Sequence, residues 1–414
     1  MPLDPLAQPS APPASSAAIR ALKAPASAKA VLLALLNLKG GAVDVALPGG
    51  TVLRFGDGDG PHVGMRINRY RFARRVIFSG DIGFAEGLMA GDWDSEDLAP
   101  LLTLLARNIE RITRLLEGGP FGKALNWLRH LRHENTRAGA RRNILAHYDL
   151  GNRFYAAWLD STMTYSSARF DGAKVRDLEQ AQLEKYRALA KHLDLKPGDH
   201  VLEIGCGWGG FAEVAAGEFG ARVTGLTISD EQLAYATERM RKAGLSDLVE
   251  LRRQDYRDVE GRFDKVASIE MFEAVGEKYW PAYFAKIADV LKPGGRAALQ
   301  IITIRDELFH KYRRRADFIQ RYVFPGGMLA SVERLKAETA KAGLVWRKAD
   351  AFGQSYAETL AEWAQRFRAK WDDIRSLGFD ERFRQLWLFY LGYCEAGFRT
   401  GRTDVVQLEL TKPA

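Results

Sequence analysis

The sequence predicts an α/β fold in which a Rossmann-like, mostly parallel sheet is covered by helices on both faces and is preceded by a smaller α+β domain. From about residue 185 onward, strand-like and helix-like patterns alternate regularly, which is typical of a doubly wound sheet. The chain has 414 residues, more than a single hydrophobic core usually supports. We therefore expect two domains.

The amino-terminal part divides into three predicted segments. Residues 1–29 are rich in Ala, Pro and Ser, so we expect a disordered tail. Residues 30–118 mix helical and strand patterns, which predicts the small α+β domain. Residues 119–146 form a basic linker with apolar residues at helical spacing, and this pattern fits either a helix on an anionic lipid surface or a helix docked between domains.

The carboxyl-terminal part carries the strand patterns of the sheet. The first is HVLEIG at 200–205, and four similar segments follow it, separated by helical patterns. These four segments are 221–228, 248–255, 263–270 and 296–304. Two later segments, 344–353 and 405–411, are predicted to be edge strands.

The net charge of +8 and the pI near 9.3 indicate a polyanionic partner or simply a solvated basic surface. An anionic membrane is favoured over nucleic acid because no base-reading motif accompanies the charge. The two cysteines have no disulfide or zinc spacing, which fits a reducing cytoplasm without a metal site. No apolar run approaches the roughly 20 residues that span a bilayer.

A glycine-rich turn, VLEIGCGWGG at 201–210, follows the first strand of the sheet. Glycines at 205 and 207, around Cys206, allow a ligand to approach the backbone closely. The spacing departs from the dinucleotide fingerprint, and the acidic Glu203 would repel a pyrophosphate. The same carboxylate would attract the cationic amino end of S-adenosylmethionine, so the turn favours a methyl donor.

The ends of the next two strands supply candidate contacts for the rest of that donor. Thr227 and Ile228 end the second strand, and Gln232 in the following helix is the expected ribose ligand because no acid stands at the strand end. After the third strand, Asp255 could accept the adenine amino group while the ring of Tyr256 stacks on it. The alternative for Asp255 is a helix N-cap.

Seven ordered segments together resemble the cyclopropane-fatty-acyl-phospholipid synthase and mycolic acid cyclopropane synthase family. They are HYDLGNRFYAAWLDSTMTYSSARF, VLEIGCGWGG, LTISDEQ, QDYRD, SIEMFEAVG, FPGGMLAS and FGQSY, and the resemblance runs from about 143 to the end. It implies a seven-stranded methyltransferase domain, here 147–414, with a hydrophobic tunnel for an acyl chain. The implied reaction is methylation of a double bond in an unsaturated phospholipid.

The resemblance also implies roles for individual residues. Tyr165 and Ser166 would bind the amino-acid end of the donor. The reaction needs a base near a carbocation, and in the family this is a bicarbonate ion held by polar residues. The matching positions retained here are Glu273 and Tyr356, with the backbone of Ile302.

Two positions depart from the family pattern. Ser167 stands where the family has Cys, and Gln300 stands where it has His. Both can still hydrogen-bond an anion, but a titratable imidazole is lost. The alternative to bound bicarbonate is therefore that Glu273, or the nearby Glu270, acts directly as the base.

Two further features have both a functional and a structural interpretation. Cys394 matches a family cysteine once suspected as catalytic, but a small buried residue on a helix is the favoured alternative. The segment 305–335 is a predicted lipid-binding insertion with the alternative of a solvated helix. Its basic residues are Lys311, Arg313, Arg314 and Arg315, and its aromatic residues are Phe309, Phe318, Tyr322 and Phe324.

The predicted function is therefore S-adenosylmethionine-dependent methylation of an unsaturated phospholipid acyl chain, giving a cyclopropane or a methylene or methyl branch. The alternatives are a small-molecule N- or C-methyltransferase and a catalytically silent lipid-binding homologue. We expect a cytoplasmic protein, peripheral on the inner face of the membrane. The sequence leaves homodimerisation open.

Overall fold

The computed structural model describes residues 11–117, 150–170 and 177–414. The predicted basic linker at 119–146 lies outside these residues. The chain divides into two compact units, of which the first comprises Met1–Thr136 with Phe379–Thr400, and the second comprises Arg137–Gly378 with Gly401–Ala414. In the described part of the chain, no helix combines the length and apolar character needed to cross a membrane.

The first unit contains a four-stranded sheet in the order β2-β1-β3-β4. The strands are β1 (Ala42–Ala46), β2 (Val52–Gly56), β3 (His62–Ile67) and β4 (Trp93–Asp94). The helices before and after this sheet are α1 (Ser16–Ala21), α2 (Ala26–Leu35), α3 (Arg71–Met89) and α4 (Leu98–Glu117). This arrangement agrees with the mixed pattern at 30–118.

The prediction of a disordered tail is wrong for residues 11–29. Ser15 caps α1 by accepting a hydrogen bond from the Ala18 amide, and Ile19 is completely buried. The segment before α1 also pairs with β2 through the backbone of Pro12 and Ala14. Alanine has the highest intrinsic helix propensity, so an Ala-rich segment folds once an apolar anchor such as Ile19 has a core to enter.

A helix from late in the sequence, α15 (Glu381–Arg399), also belongs to the first unit. Gly392 faces α4, where a Cβ would make ordinary contacts with Leu102 at 3.4 Å and Ala99 at 3.5 Å. The Phe389 ring meets the Phe84 ring at 6.2 Å. The sequence placed 381–399 in an unbroken methyltransferase domain, whereas packing groups this helix with the first unit.

The second unit contains a seven-stranded sheet, which confirms the predicted α/β fold. Its order is β10-β11-β9-β8-β5-β6-β7. The strands are β5 (His200–Ile204), β6 (Arg222–Thr227), β7 (Val249–Arg253), β8 (Phe263–Ile269), β9 (Leu291–Ile304), β10 (Val345–Ala351) and β11 (Thr403–Thr411). Strands β5 to β9 pair in parallel, and β11 runs antiparallel to both of its neighbours.

The terminal strand β11 therefore lies inside the sheet, and its prediction as an edge strand is wrong. Val405, Leu408 and Leu410 are completely buried, as expected for a strand covered on both faces. Strand β10 is at the edge, as predicted. The position of a strand in the sheet depends on its pairing partners, which its own sequence does not specify.

Helices cover both faces of this sheet, because successive strand residues enter different cores. Leu202 packs in one core with Trp280 and Leu335, and Val201 packs in the other with Tyr186 and Phe211. The helices are α5 (Asn152–Trp158), α6 (Leu178–Leu193), α7 (Gly210–Phe219), α8 (Asp230–Lys242), α9 (Trp280–Val290), α10 (Asp306–Tyr312), α11 (Phe318–Tyr322), α12 (Val332–Lys341), α13 (Gly353–Ala369) and α14 (Trp371–Ser376).

Candidate active site

The glycine-rich turn joins β5 to α7 and has the conformation that only glycine adopts readily. Gly205 has a φ of 84° and Gly207 a φ of 51°. A Cβ on Gly205 would lie 2.9 Å from the Cγ of Met271, whereas one on Gly207 would meet nothing within 4 Å. The turn is therefore packed tightly on its Met271 side and open at Gly207, where a ligand can approach the backbone. Cys206, between the two glycines, is buried.

Glu203 lies near the end of β5 and is 2% exposed. Among the described residues, one of its carboxylate oxygens is buried without a hydrogen-bond partner. Burial raises the pKa of Glu203 to about 8. A buried, unpartnered acceptor fits the cationic amino end of S-adenosylmethionine, because an incoming ammonium would supply both the missing donor and the counter-charge.

The two candidate ribose-side residues contact each other at the end of β6. The Thr227 hydroxyl donates to the Gln232 side-chain oxygen at 2.8 Å, which orients the carboxamide. Ile228 is 44% exposed beside them, which is unusual for a large apolar side chain. These positions are compatible with the predicted donor contacts.

Asp255 caps a short 3₁₀ turn, Tyr256–Asp258, by accepting from the Arg257 backbone amide at 3.0 Å. The Arg257 guanidinium also pairs with this carboxylate. Asp255 is thus the cap that the sequence left as its alternative role. The Tyr256 and Tyr283 rings pack edge to face with their centroids 5.4 Å apart. This contact with the core fixes the orientation of the Tyr256 ring.

Aromatic side chains connect the predicted donor residues to α13. The Tyr155 ring lies 5.1 Å from Trp208 of the glycine-rich turn, and the Tyr165 ring lies 5.3 Å from Trp363. Trp363 in turn lies 6.2 Å from Tyr356. We call this group the aromatic wall. It comprises Tyr155, Trp158, Tyr165, Trp208, Tyr356 and Trp363.

Glu270 follows β8 and is the centre of a buried hydrogen-bond cluster. Its carboxylate accepts from the Ser167 backbone amide at 2.8 Å, from the Gln300 carboxamide at 2.7 Å and from the Tyr356 hydroxyl at 2.7 Å. We call these four residues the Glu270 cluster. Three residues predicted to hold an anion are thus brought together, around the carboxylate of a fourth residue.

The contribution of Ser167 differs from the expected one. Its hydroxyl donates to the Ala168 carbonyl at 2.8 Å, and only its backbone amide reaches Glu270. The sequence interpretation relied on the side chain at this position. A backbone donor needs no particular side chain, which explains why Ser can stand where the family has Cys.

Glu273 lies in the 3₁₀ turn Phe272–Ala274, just after Glu270. One of its carboxylate oxygens accepts from the Ile302 backbone amide, and the other is buried with no hydrogen-bond partner among the described residues. Burial, together with the charge of Glu270, raises the pKa of Glu273 to about 8. The Ile302 amide, predicted to hold an anion, therefore holds Glu273.

The two neighbouring carboxyl groups differ in how well their charge is stabilised. Burial raises the pKa of Glu270, but the hydrogen bond from Tyr356 and the charge of Lys185 act in the opposite direction. Glu273 accepts from the Ile302 amide and from its own backbone amide, and no cation acts on it. Glu270 is therefore the better-stabilised carboxylate of the two.

Lys185 on α6 is a buried cation that the sequence analysis missed. Its ammonium donates to the Ser166 hydroxyl at 2.6 Å and lies 4.3 Å from the Tyr186 ring centroid. Burial lowers its pKa to about 7, against the charges of Glu270, Asp160 and Glu203. Its charge therefore interacts both with Glu203, the predicted contact of S-adenosylmethionine, and with Glu270.

A sequence signal for Lys185 does exist. Ala181, Lys185 and Leu189 are spaced at one helical turn and are all completely buried. A lysine on the apolar stripe of a helix needs an internal partner, since burying an unpaired ammonium is costly. That spacing could have identified Lys185 as a site residue.

The predicted insertion after β9 contains α10 and α11 and contacts the site through its end. The Met328 amide donates to the Glu273 carbonyl at 2.9 Å. Phe309 and Phe318 are buried, while Lys311, Arg313 and Arg314 are exposed. Arg313 is paired with Glu277 at 2.8 Å, so part of the predicted basic group is structural.

Cys394 lies on α15 of the first unit and is partly buried. The Glu270 cluster is carried by other elements, all within the second unit. Both interpretations of Cys394 given in the sequence analysis therefore stay predictions.

Comparison with known proteins places this site in a family. The family model described as mycolic acid cyclopropane synthetase matches residues 135–408. The chain is 40% identical, over 82% of its length and 81% of the relative's, to tuberculostearic acid methyltransferase UfaA1 of Mycobacterium tuberculosis. It is 35% identical, over 84% and 87%, to cyclopropane-fatty-acyl-phospholipid synthase of Escherichia coli.

A solved structure supports the same assignment. Mycolic acid cyclopropane synthase CmaA1, complexed with SAH and CTAB, superimposes with a TM-score of 0.61 and 27% identity, covering 66% of this chain and 98% of that one. The glycine-rich turn, the unpartnered Glu203 and the buried Glu270 cluster fit the chemistry of that family. The chain belongs to the mycolic acid cyclopropane synthetase family of S-adenosylmethionine-dependent methyltransferases.

Proposed function

We propose that the protein methylates the double bond of an unsaturated phospholipid acyl chain, leaving a cyclopropane ring or a methylene or methyl branch. The observation that carries this proposal is the Glu270 cluster, in which a carboxylate accepts three hydrogen bonds. This carboxylate lies beside the glycine-rich turn that is predicted to bind S-adenosylmethionine. The names of relatives support a fatty-acyl substrate, since they include a cyclopropane-fatty-acyl-phospholipid synthase and a probable fatty acid methyltransferase.

The burial of the site suits a carbon acceptor. S-adenosylmethionine supplies an electrophilic methyl group, and an alkene that takes it becomes a carbocation, which water would quench. Glu270 and Glu273 are half-buried, and one oxygen of Glu273 is buried without a hydrogen-bond partner among the described residues. Tyr356 and Trp363 are 6% and 0% exposed, so the acceptor site is largely shielded from water. An amine acceptor forms no carbocation, so it would require neither this dryness nor a base fixed by three hydrogen bonds.

Residues of this chain would share the work between two halves of the site. The glycine-rich turn, Glu203, Thr227 and Gln232 would hold and orient the donor. The Glu270 cluster would remove the proton that completes the product, and the aromatic wall would exclude water and stabilise positive charge.

For location, we propose a peripheral association with the anionic inner face of the cytoplasmic membrane. Lys311, Arg314 and Arg315 are exposed on the insertion at 305–335, which also donates a hydrogen bond from the Met328 amide to the Glu273 carbonyl. Basic groups therefore lie on a segment that contacts the site. Surface cations near an anionic leaflet contribute about 1 kcal/mol each to membrane binding. Vesicle co-sedimentation should weaken when these three residues are changed to Gln and when anionic lipid is replaced by zwitterionic lipid.

The proposed reaction is tested with purified protein, S-adenosylmethionine carrying a labelled methyl group, and vesicles of monounsaturated phosphatidylglycerol. We expect the label in the fatty acyl fraction, with a mass gain of one CH₂, and none with saturated lipid of the same head group. Gas chromatography with mass spectrometry distinguishes ring from branch. Label in added soluble amines instead of lipid would contradict the proposal.

A further inference from the structure

We propose that the Glu270 carboxylate is itself the proton acceptor of the reaction and permanently fills the anion position formed by Ser167, Gln300 and Tyr356. Turnover then needs no diffusible bicarbonate. This inference rests on the proposed function, because a proton acceptor of this kind is required only if a carbon centre is methylated. It selects Glu270 over both alternatives, bicarbonate and Glu273.

The three groups around Glu270 all act as donors, which is the environment an anion requires. The orientation of the Gln300 carboxamide is set by a relay of hydrogen bonds. Arg169 donates to the Gln407 oxygen at 3.3 Å, and the Gln407 amide donates to the Gln300 oxygen at 3.0 Å. The Gln300 nitrogen is thereby turned toward Glu270. The position is built to receive negative charge.

The backbone of Glu270 indicates that its side chain has a role at this place. Its φ is 49°, in the left-handed region that is strained for a non-glycine residue. Glycine would relieve that strain if the carboxylate contributed nothing. The strained conformation directs the carboxylate into the three donors, so the side chain compensates the strain.

The contrast with Glu273 decides which carboxyl group accepts the proton. Glu270 receives three hydrogen bonds and faces the buried ammonium of Lys185, so its ionised form is stabilised. Glu273 accepts from backbone amides alone, and one of its oxygens is buried without a hydrogen-bond partner among the described residues. Because hydrogen bonds and a nearby ammonium favour the ionised form of a carboxyl group, Glu270 is the one of the two that we assign as the base.

Glu270 also lies next to the donor-binding residues. Met271, the next residue in the chain, packs so closely on Gly205 that a Cβ there would be 2.9 Å from its side chain. On its other side, Tyr356 leads through Trp363 to Tyr165, the predicted contact for the amino-acid end of the donor. The carboxylate is therefore within the same enclosed region as the predicted donor site.

The proposed step balances with this carboxylate as the only acceptor. The alkene π electrons form the new bond to the methyl carbon, and the carbon–sulfur bonding pair stays on sulfur. A C–H bond of the transferred methyl group then breaks. Its electron pair closes the three-membered ring, or it forms a methylene double bond where a hydride has first shifted and moved the cation onto the methyl-bearing carbon. The proton passes to a Glu270 oxygen and leaves to water between turnovers, which restores the carboxylate.

The test uses two variants of the full-length protein. Glu270→Gly removes the carboxylate, accepts the positive φ and leaves the three donors facing an empty position. We expect turnover to fall by about 10²- to 10⁴-fold and to recover on addition of millimolar bicarbonate or formate. Glu270→Gln keeps the shape but fills the position with an amide, so it should lose turnover without rescue. Glu260→Gly, at an exposed loop position, is the control.

A binding measurement gives a readout that does not depend on activity. Isothermal titration with bicarbonate or formate, without donor or lipid, should show binding to Glu270→Gly and none to the wild type or Glu270→Gln. Thermal denaturation verifies that each variant is folded. Because Glu270→Gln preserves the size of the side chain and one of its two acceptor oxygens, it remains informative if the glycine variant does not fold.

Three outcomes would overturn the proposal. One is wild-type turnover that stops in carbonate-free buffer and returns with bicarbonate. Another is full turnover of Glu270→Gly without any added anion. The third is a titration in which neither bicarbonate nor formate binds Glu270→Gly, because Glu270 then fills no anion position. If the wild type methylates no lipid at all, the proposed function fails separately, and the titration still tests the anion position.

Discussion

The two halves of the site are built in opposite ways. The predicted donor half is centred on a contiguous turn after β5, whose shape comes from the backbone conformation at Gly205 and Gly207. The base half is assembled from distant parts of the chain: Ser167 and Glu270 are 103 residues apart, and Glu270 and Tyr356 are 86 apart. The first half determines which co-substrate is bound, and the second determines what is done with it.

This difference shows where specificity can change within the family. A backbone turn that binds a nucleoside tolerates few substitutions, because side chains there would clash, as at Gly205. The base half depends on side chains that can be exchanged, so a Gln can replace a His and a Glu can replace a bound anion. The reaction outcome is therefore expected to vary through the base half, while the donor half stays the same.

The largest expected effect separates the two neighbouring carboxyls. Glu270→Gln should lower kcat by about 10²- to 10⁴-fold, because the ionised base is lost, and should leave donor affinity unchanged. Glu273→Gln should have a much smaller effect, since burial raises the pKa of Glu273 to about 8 and an amide resembles the neutral acid. Single-turnover rates and donor titrations measure both. A larger loss for Glu273→Gln would reverse the assignment.

The next effect concerns the donor half alone. Glu203→Gln should weaken donor binding by about 10- to 100-fold, the value of one charge-assisted hydrogen bond. Burial raises the pKa of Glu203 to about 8, and the cationic donor prefers the ionised form. Wild-type affinity should therefore rise with pH and level off above about 8.

Calorimetric titration across pH 6 to 9 checks this expectation. The Glu203→Gln variant should show a flatter profile, and Glu260→Gln serves as the exposed control. An unchanged pH profile in Glu203→Gln would show that another group binds the ammonium.

A smaller effect is expected for Tyr356→Phe, which removes one of the three donors to Glu270. We expect kcat at pH 7 to fall by about threefold to tenfold, the value of one hydrogen bond. The bond from Tyr356 lowers the pKa of Glu270, so its loss should raise that pKa and move the acid limb of the pH–rate profile upward. Lys185 and Glu273, the other ionisable groups beside Glu270, are unchanged in this variant. A lower kcat without a pH shift would indicate a purely structural role.

The smallest effect is expected for Cys394→Ser. This residue lies on α15 in the first unit, so kcat and donor affinity should both be unchanged. Melting temperature should change only slightly, because the side chain is partly buried and Ser is similar in size. A loss of turnover with intact folding would instead indicate that Cys394 has a catalytic role.

Much of the fold and of the donor half could be predicted from the sequence. The alternating patterns predicted the sheet, and the run at 201–210 predicted the donor turn, because each depends on residues that are close in the chain. The base half was predicted only in part. Tyr356, Gln300 and Ser167 were named through resemblance, but Lys185 was missed, and Ser167 contributes its amide and not its hydroxyl.

By itself, the sequence determined which segments form strands and helices, the glycine conformations after β5 and the presence of two acids at 270 and 273. The tertiary structure alone decided which acid receives three hydrogen bonds, that β11 lies inside the sheet and that α15 joins the first unit. The reason is physical. Local conformation follows from neighbouring residues, whereas burial, hydrogen-bond partners and the resulting pKa values depend on groups that only folding brings together.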